Sequence, residues 1–251
     1  MDLQLLRPSW ADRFPQLVVG QSTRAGGVSL PPFDSLNLGL HTQDDAAAVE
    51  ENRRRLATSF GFRPEQLSGG HQIHSDQLAC LETPGQYDGC DAFMTDRQDI
   101  LLSVTVADCV PVLIVDPTRQ LIAAAHAGWK GTAARIAYKT VARLEQQYGS
   151  APQDCWAFIG ASIGFDDFEV GPEVGIQFAE HLRRGPDSRG KYFVDLKGAN
   201  REQLIAAGLL AEQIDISPVS SLSQPELVFS HRASGDGRTG RGLAIIGYRN
   251  S

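Results

Sequence analysis

Residues 100–127 read ILLSVTVADCVPVLIVDPTRQLIAAAHA. Three apolar runs stand in it, at 100–107, 110–115 and 121–125, and the first two are rich in β-branched residues. Each is short and closed by polar or turn residues, which predicts three strands rather than a helix. The turn at 116–119 (DPTR) folds the second and third runs into a hairpin. Pro111 falls at the start of its run, where a missing N–H is tolerated. The break at Asp108-Cys109 and the end at His126 then lie near the same end of adjacent strands, close enough for Cys109 and His126 to share an ion.

Outward from this hairpin, Gly128-Trp129-Lys130-Gly131 leads into a helix expected from about Thr132 to Tyr148, with Ile136, Ala137, Val141 and Leu144 at helical spacing. Upstream, 43–60 predicts a helix capped by Asp44 or Asp45, with Ala48, Val49, Leu56 and Ala57 inward. Residues 17–40 give a short strand and then turn chemistry. Downstream, 156–163 reads as a buried strand, 172–184 as a helix behind Pro172, and Phe193-Val194 as a short strand. Asp195 caps a helix from about Leu196 to Ala207. The chain closes with strands at 226–230 and 242–247 around a Gly/Arg-rich loop, 232–241. Strand pairs mixed with helices, without strict βαβ alternation, give an α+β class: one layered domain over 1–251, with a mixed β-sheet and flanking helices.

The chain has 251 residues, 42% hydrophobic and 21% charged. That size buries a core without help from metal or disulfide, so a metal site here is functional rather than structural. With 23 Lys+Arg against 30 Asp+Glu the net charge is −7, which argues against nucleic-acid or anionic-membrane partners but leaves room for a small anion on local arginines. No apolar run reaches the roughly 18 residues of a membrane span. The stretch MDLQLLRPSW lacks a signal peptide's apolar core. Cys80, Cys90, Cys109 and Cys155 form no C-x-x-C pair and read as free thiols, so a cytoplasmic setting is expected.

One thiolate and two imidazoles, Cys109, His126 and His74, are a good Zn²⁺ set, and three protein ligands leave the fourth position open, as in catalytic sites. A bound zinc lowers the pKa of a coordinated water from ~15.7 to roughly 7. A metal-free Cys–His nucleophile and base is the other reading of the same residues. His71 competes with His74, and spacing does not choose between them. A Gly-rich turn opening a helix at Gly131 suits either an anion site, with Lys130 and Arg135 beside it, or an ordinary glycine turn with both side chains solvated. The loop 232–241, with Arg232, Arg238 and Arg241, suits a basic flap over an anionic substrate or a plain exposed turn. Asp166, Asp167 and Glu169 read as a solvated acidic turn.

STRAGGVS (22–29), SLNLGLHTQDD (35–45), ENRRRLA (51–57), QIHSDQ (72–77), ADCVPVLIVD (107–116), HAGWKGT (126–132), IGASIGFDDFEVGPEV (159–174) and ANREQL (199–204) together resemble the YfiH-like family, once labelled polyphenol oxidases or laccase-domain proteins. The resemblance implies that family's fold, distantly like a bacterial toxin deamidase. It implies His74, Cys109 and His126 as metal ligands and as the catalytic centre, which selects His74 over His71. It also implies substrate contacts from Asn37 and Arg53. The activity implied is that of a zinc-dependent purine nucleoside enzyme, phosphorolysing adenosine, inosine, guanosine and methylthioadenosine and deaminating adenosine. Purine nucleoside and phosphate are its expected partners, and a monomer its expected state. Copper is the weaker metal: Ala161-Ser162 and Ser220-Ser221 stand where the family often carries cysteines, and copper oxidation needs more soft ligands. Rival readings are a cysteine hydrolase or deamidase using Cys109 and His126, and a peptidoglycan-precursor editing amidase.

Overall fold

The computed structural model describes residues 3–249. Its layers follow from period-two patterning. In the hairpin, Leu113 and Val115 face one way and Val112 and Ile114 the other, and all four are buried. A strand covered on both faces reads as a continuous apolar run, which is what 110–115 shows.

One sheet has the order β1-β2-β14-β6-β3, from Leu5–Leu6 (β1), Leu17–Ser22 (β2), Gly242–Tyr248 (β14), Leu101–Val106 (β6) and Leu67–Ser68 (β3). The second has the order β13-β9-β7-β8-β5-β4, from Ile214–Ile216 (β13), Trp156–Ile159 (β9), Val110–Asp116 (β7), Leu121–Ala127 (β8), Ala92–Thr95 (β5) and Leu78–Cys80 (β4). A small third sheet joins Glu169–Val170 (β10), Tyr192–Val194 (β12) and Arg183–Arg184 (β11). Between the two large sheets lies a core of Leu102, Val104, Leu113, Ile122, Phe158 and Ile246. The outer face of the first sheet is covered by α1 (Ala46–Ser59), through Leu56 and Ala57 on Leu101 and Ile245. The outer face of the second is covered by α3 (Ile136–Tyr148) and α5 (Leu196–Ala206), through Val141, Leu144 and Leu204. The fold is thus a mixed, layered α+β architecture, and among the described residues no helix is long and apolar enough to cross a membrane.

The expected hairpin is β7–β8, in register Pro111↔His126 and Val110↔Ala127. The strands read at 100–107 and 110–115 belong to different sheets, however. The chain crosses between them at Ala107-Asp108-Cys109, where Asp108 takes φ 86°. Asp45 caps α1 by accepting from Ala47 N–H at 3.0 Å, and Asp195 caps α5 by accepting from Gly198 N–H at 2.8 Å.

Three expected elements differ. The helix read at 132–148 is two, α2 (Trp129–Ala133) and α3, broken at Arg135 with φ 65°. The Thr132 carbonyl that a continuous helix would give to residue 136 instead accepts from Gln203 Nε2 at 2.7 Å and Arg135 N–H at 2.9 Å. The helix read at 172–184 is only α4 (Pro172–Gly175), followed by i→i+3 turns such as Phe178 N–H to Gly175 O and then β11. Gly175 lies in that span, and interior glycine costs a helix about 1 kcal/mol. Residues 226–230 form turns rather than a strand; Leu227 and Val228 N–H bond back to Gln224 O.

Candidate metal centre

Cys109 ends the sheet crossing, directly before β7, and His126 lies in the neighbouring strand β8 opposite Pro111. His74 comes from the loop between β3 and β4 and sits at φ 59°, a left-handed conformation that needs outside support. Asp91 supplies it. Its carboxylate accepts from the N–H groups of Ile73 (3.2 Å), His74 (3.0 Å) and Ser75 (2.7 Å) and from Ser75 Oγ (2.7 Å). The same carboxylate accepts from His126 Nδ1 at 2.9 Å, while the Asp91 carbonyl accepts from His126 N–H at 2.7 Å. Asp91 can do both because it directly precedes β5, whose Ala92 pairs with Ala125 of β8.

The result is a convergence of His74, Cys109 and His126, with one donor atom from each lying within 4.8 Å of the others. The two imidazoles stand edge to face, centroids 4.9 Å apart. Asp91 occupies Nδ1 of His126 and so leaves Nε2 for a ligand, the usual carboxylate–histidine arrangement of metal sites. A soft thiolate with two imidazoles at this spacing fits zinc. Gly128, at the start of α2, closes over the group: a Cβ there would lie 3.1 Å from Cys109 Sγ and 3.2 Å from His74 Cδ2.

Burial raises the Cys109 thiol, but the charge and hydrogen bond of His126, with His74, outweigh it and bring it down to about 6. Burial depresses His126, yet the Cys109 thiolate and the Asp91 carboxylate carry it up to about 9. Burial likewise raises Asp91, and its bonds from His126 and Ser75 hold it at about 2. The thiolate's contribution to stability is therefore lost as pH falls through about 6, and the imidazolium's as pH rises through about 9. In metal-stripped protein, iodoacetamide should modify Cys109 with a midpoint near pH 6. At neutral pH Cys109 should outrun Cys155, whose thiol burial pushes up to about 11. A mass-spectrometric midpoint near an ordinary thiol's ~8.5 would show that the ion pair does not form. All four cysteines are free thiols, as expected.

The three residues line one side of a cavity of about 370 Å³, within the range of small-molecule pockets. Arg53, Arg241 and Arg232 also line it, as do His41, His71 and Phe168. His71 shares the cavity but not the convergent group; its ring packs on His41 at 4.5 Å. Burial lowers the Arg53 guanidinium to about 10, so it stays charged at neutral pH. Asn37 does not face the cavity. It is wholly buried, its Oδ1 accepts from Gly39 and Arg241 N–H, and its Nδ2 donates to Thr42 Oγ1 and Asp44 Oδ2. With every polar group spent inside the protein it holds two wall residues instead of contacting a ligand.

Of the two readings of Gly131, the structure favours the ordinary glycine turn. Gly131 is buried against the Ser75 carbonyl in a five-residue helix and does not line the cavity. Lys130 lies over Trp129 and Arg135 over Tyr138. Of the loop arginines, Arg232 and Arg241 reach the cavity and Arg238 does not. The acidic turn is internally satisfied: Asp166 pairs with Arg184, Glu169 with Arg189, and Asp167 accepts from Ser220 and Ser223. Sequence reading missed Asp91 and Asp108. Asp108 accepts from Ser221 Oγ (2.6 Å), Ser230 Oγ (2.7 Å) and Arg232 N–H (2.7 Å), fastening the 220s and 230s to the cavity rim. The signal for Asp91 was chemical: a metal-binding histidine wants a carboxylate on its other nitrogen.

The family model described as multi-copper polyphenol oxidoreductase laccase matches residues 18–249. The chain is 33% identical to purine nucleoside phosphorylase YlmD of Bacillus subtilis, across 94% of this chain and 90% of that one. It is 39% identical to a purine nucleoside phosphorylase of Deinococcus radiodurans, across 94% and 91%. Its fold is similar to the crystal structure of YlmD from Geobacillus stearothermophilus, at TM-score 0.92 and 36% identity over 99% of both chains. It is also similar to that of YfiH from Bacillus licheniformis, at TM-score 0.90 and 33% identity over 98% of both. With fold, sequence and family model agreeing over nearly its whole length, the chain belongs to the YfiH family of multi-copper polyphenol oxidoreductase laccase proteins.

Proposed function

We propose that the chain is a zinc-dependent purine nucleoside phosphorylase, cleaving nucleosides such as inosine, guanosine, adenosine and methylthioadenosine, and that the same site deaminates adenosine. One observation carries this reading above the others: a thiolate and two imidazoles converge on the wall of a cavity that is also lined by arginines. The name borne by the relatives is consistent with it. In the reaction a phosphate oxygen bonds to ribose C1′, the C1′–N9 bond breaks with its electron pair going to the purine, and the proton of hydrogen phosphate ends on the purine. Free purine and ribose 1-phosphate result.

Cys109 Sγ, His126 Nε2 and the His74 imidazole would hold the zinc, with Asp91 fixing the His126 tautomer. When bound, zinc would supply Lewis-acid polarisation and a lowered pKa for a coordinated water. The protein's own contribution is positioning and charge, which carry most of a displacement at ribose C1′ of this kind.

The test is purified protein assayed for metal content and for inosine and adenosine turnover, with and without phosphate. Hypoxanthine should form from inosine only when phosphate is present. Chelation should abolish turnover and leave far-UV circular dichroism unchanged, because the layered core stands without the ion. Full turnover after complete metal removal, or cleavage indifferent to phosphate, would overturn the proposal. A second reading has its own observation: Cys109, His126 and Asp91 are arranged as nucleophile, base and orienter. It predicts amide hydrolysis that survives chelation and is lost on Cys109 alkylation.

A further inference from the structure

Several arginines of this acidic chain are ion-paired at the surface: Arg54 and Arg55 with Glu51, Arg97 with Asp99, Arg189 with Asp187. Arg53 and Arg241 are half-buried in the cavity wall and form no ion pair among the described residues. Arg53 gives one hydrogen bond, Nη1 to Leu38 O at 2.9 Å. Arg241 gives Nη1 to Thr239 O at 2.9 Å and Gly240 O at 3.0 Å. A guanidinium carries five N–H donors, so most of both forks has no protein acceptor. Withdrawing such a group from water without an anion is costly.

The protein nevertheless holds both arginines firmly. Leu38 joins them through one residue: its carbonyl accepts from Arg53 and its N–H donates to the Arg241 carbonyl at 2.9 Å. Asn37 Oδ1 takes the Arg241 N–H at 2.9 Å and the Gly39 N–H at 3.1 Å. Gly39 has no side chain where one would strike Arg241, since a Cβ would lie 2.8 Å from Arg241 Cγ. Asn52, next to Arg53 on α1, is anchored by the carbonyls of Ser35 and Asn37 at 3.1 and 2.9 Å. The only carboxylate on the cavity wall among the described residues, Asp108, is occupied by Ser221, Ser230 and the Arg232 N–H.

We propose that Arg53 and Arg241 form the binding subsite for inorganic phosphate, facing the same cavity as His74, Cys109 and His126. A nucleoside is uncharged, so the anion these forks require is the other substrate; this step rests on the phosphorylase reading above. The planar forks match the oxygens of a tetrahedral oxyanion, which lysine would not do equally well. Asn37 is then a positioning residue for phosphate, acting through the Arg241 backbone.

The test is calorimetric titration of inorganic phosphate into the full chain, as purified and after chelation. Arg53→Gln and Arg241→Gln should each weaken phosphate at least ten-fold, and the pair together should abolish it. Lys130→Gln, outside the cavity, should bind like the wild type. If the glutamine variants fail to fold, Arg53→Lys and Arg241→Lys keep the charge but lose the fork, and should weaken phosphate several-fold. Folded arginine variants that bind phosphate like the wild type would overturn the subsite. So would phosphate binding that disappears on chelation, or arginine-dependent binding of AMP without binding of phosphate itself. Arginine-dependent phosphate binding in a protein that cleaves no nucleoside would support the subsite and remove the phosphorylase reading. Phosphorolysis indifferent to both arginines would do the reverse.

Discussion

Cys109→Ser should empty the metal centre and take nucleoside cleavage with it. Serine keeps the size of the side chain, but its hydroxyl is a hard, neutral donor in place of a thiolate that His126 and His74 already hold ionised. Two imidazoles alone leave zinc with half a tetrahedron. Metal content should fall from about one per chain to a small fraction of that, and turnover by about two orders of magnitude or more, since one site is asked to serve both phosphorolysis and deamination. Metal analysis of the purified variant beside an inosine and adenosine assay reads both effects. Full zinc with full activity would remove Cys109 from the centre. Loss of deamination alone would separate the two reactions and leave phosphorolysis to the arginine side of the cavity.

Asp91→Asn should be nearly as damaging, although Asp91 is no ligand. Its two oxygens receive three backbone N–H groups, the Ser75 hydroxyl and His126 Nδ1. An asparagine keeps one oxygen and turns an NH₂ toward those same donors. At least one buried donor is orphaned, costing roughly 1–3 kcal/mol of stability. The His126 ring loses the bond that fixes its tautomer, and the His74 loop loses its support at a strained φ. Zinc affinity should drop about 10–100-fold, the usual consequence of deleting such a partner. Chelator competition and thermal denaturation measure the two effects separately. A variant with wild-type zinc affinity would mean that the imidazoles are oriented by packing alone.

Much of this architecture was legible in local pattern. The β7–β8 hairpin follows from two apolar runs around DPTR, and the caps Asp45 and Asp195 follow from short polar side chains placed before helical periodicity. The grouping of His74 with Cys109 and His126 became legible by motif rather than by spacing, because His74 is brought in by contacts with Asp91 seventeen residues on. Long-range hydrogen bonds of that kind leave no period to read. The same blindness explains why the arginines of the cavity wall were not read together. Glycines before a helix announced Gly131, whereas the charged wall is built from Arg53 and Arg241, joined only through Leu38. The overlong helices at 132–148 and 172–184 failed for a related reason: Gln203 captures the Thr132 carbonyl from another helix, and no periodicity reports a competing acceptor.

Among the crossings between the two large sheets are the segment that carries His74, between β3 and β4, and the Asp108-Cys109 step between β6 and β7. His126 lies within the second sheet. A chain in which the second sheet has not formed therefore lacks the pairings that set Cys109 beside His126 and Asp91 beside the His74 loop, and the group closes only when β4, β5, β7 and β8 are together. During refolding, the return of tight metal binding should accompany completion of the second sheet and not the first appearance of strand structure. The low-pKa thiolate is then assembled only in the company of its imidazoles, so a nascent or partly unfolded chain presents an ordinary cysteine, mostly protonated at neutral pH and slower toward electrophiles.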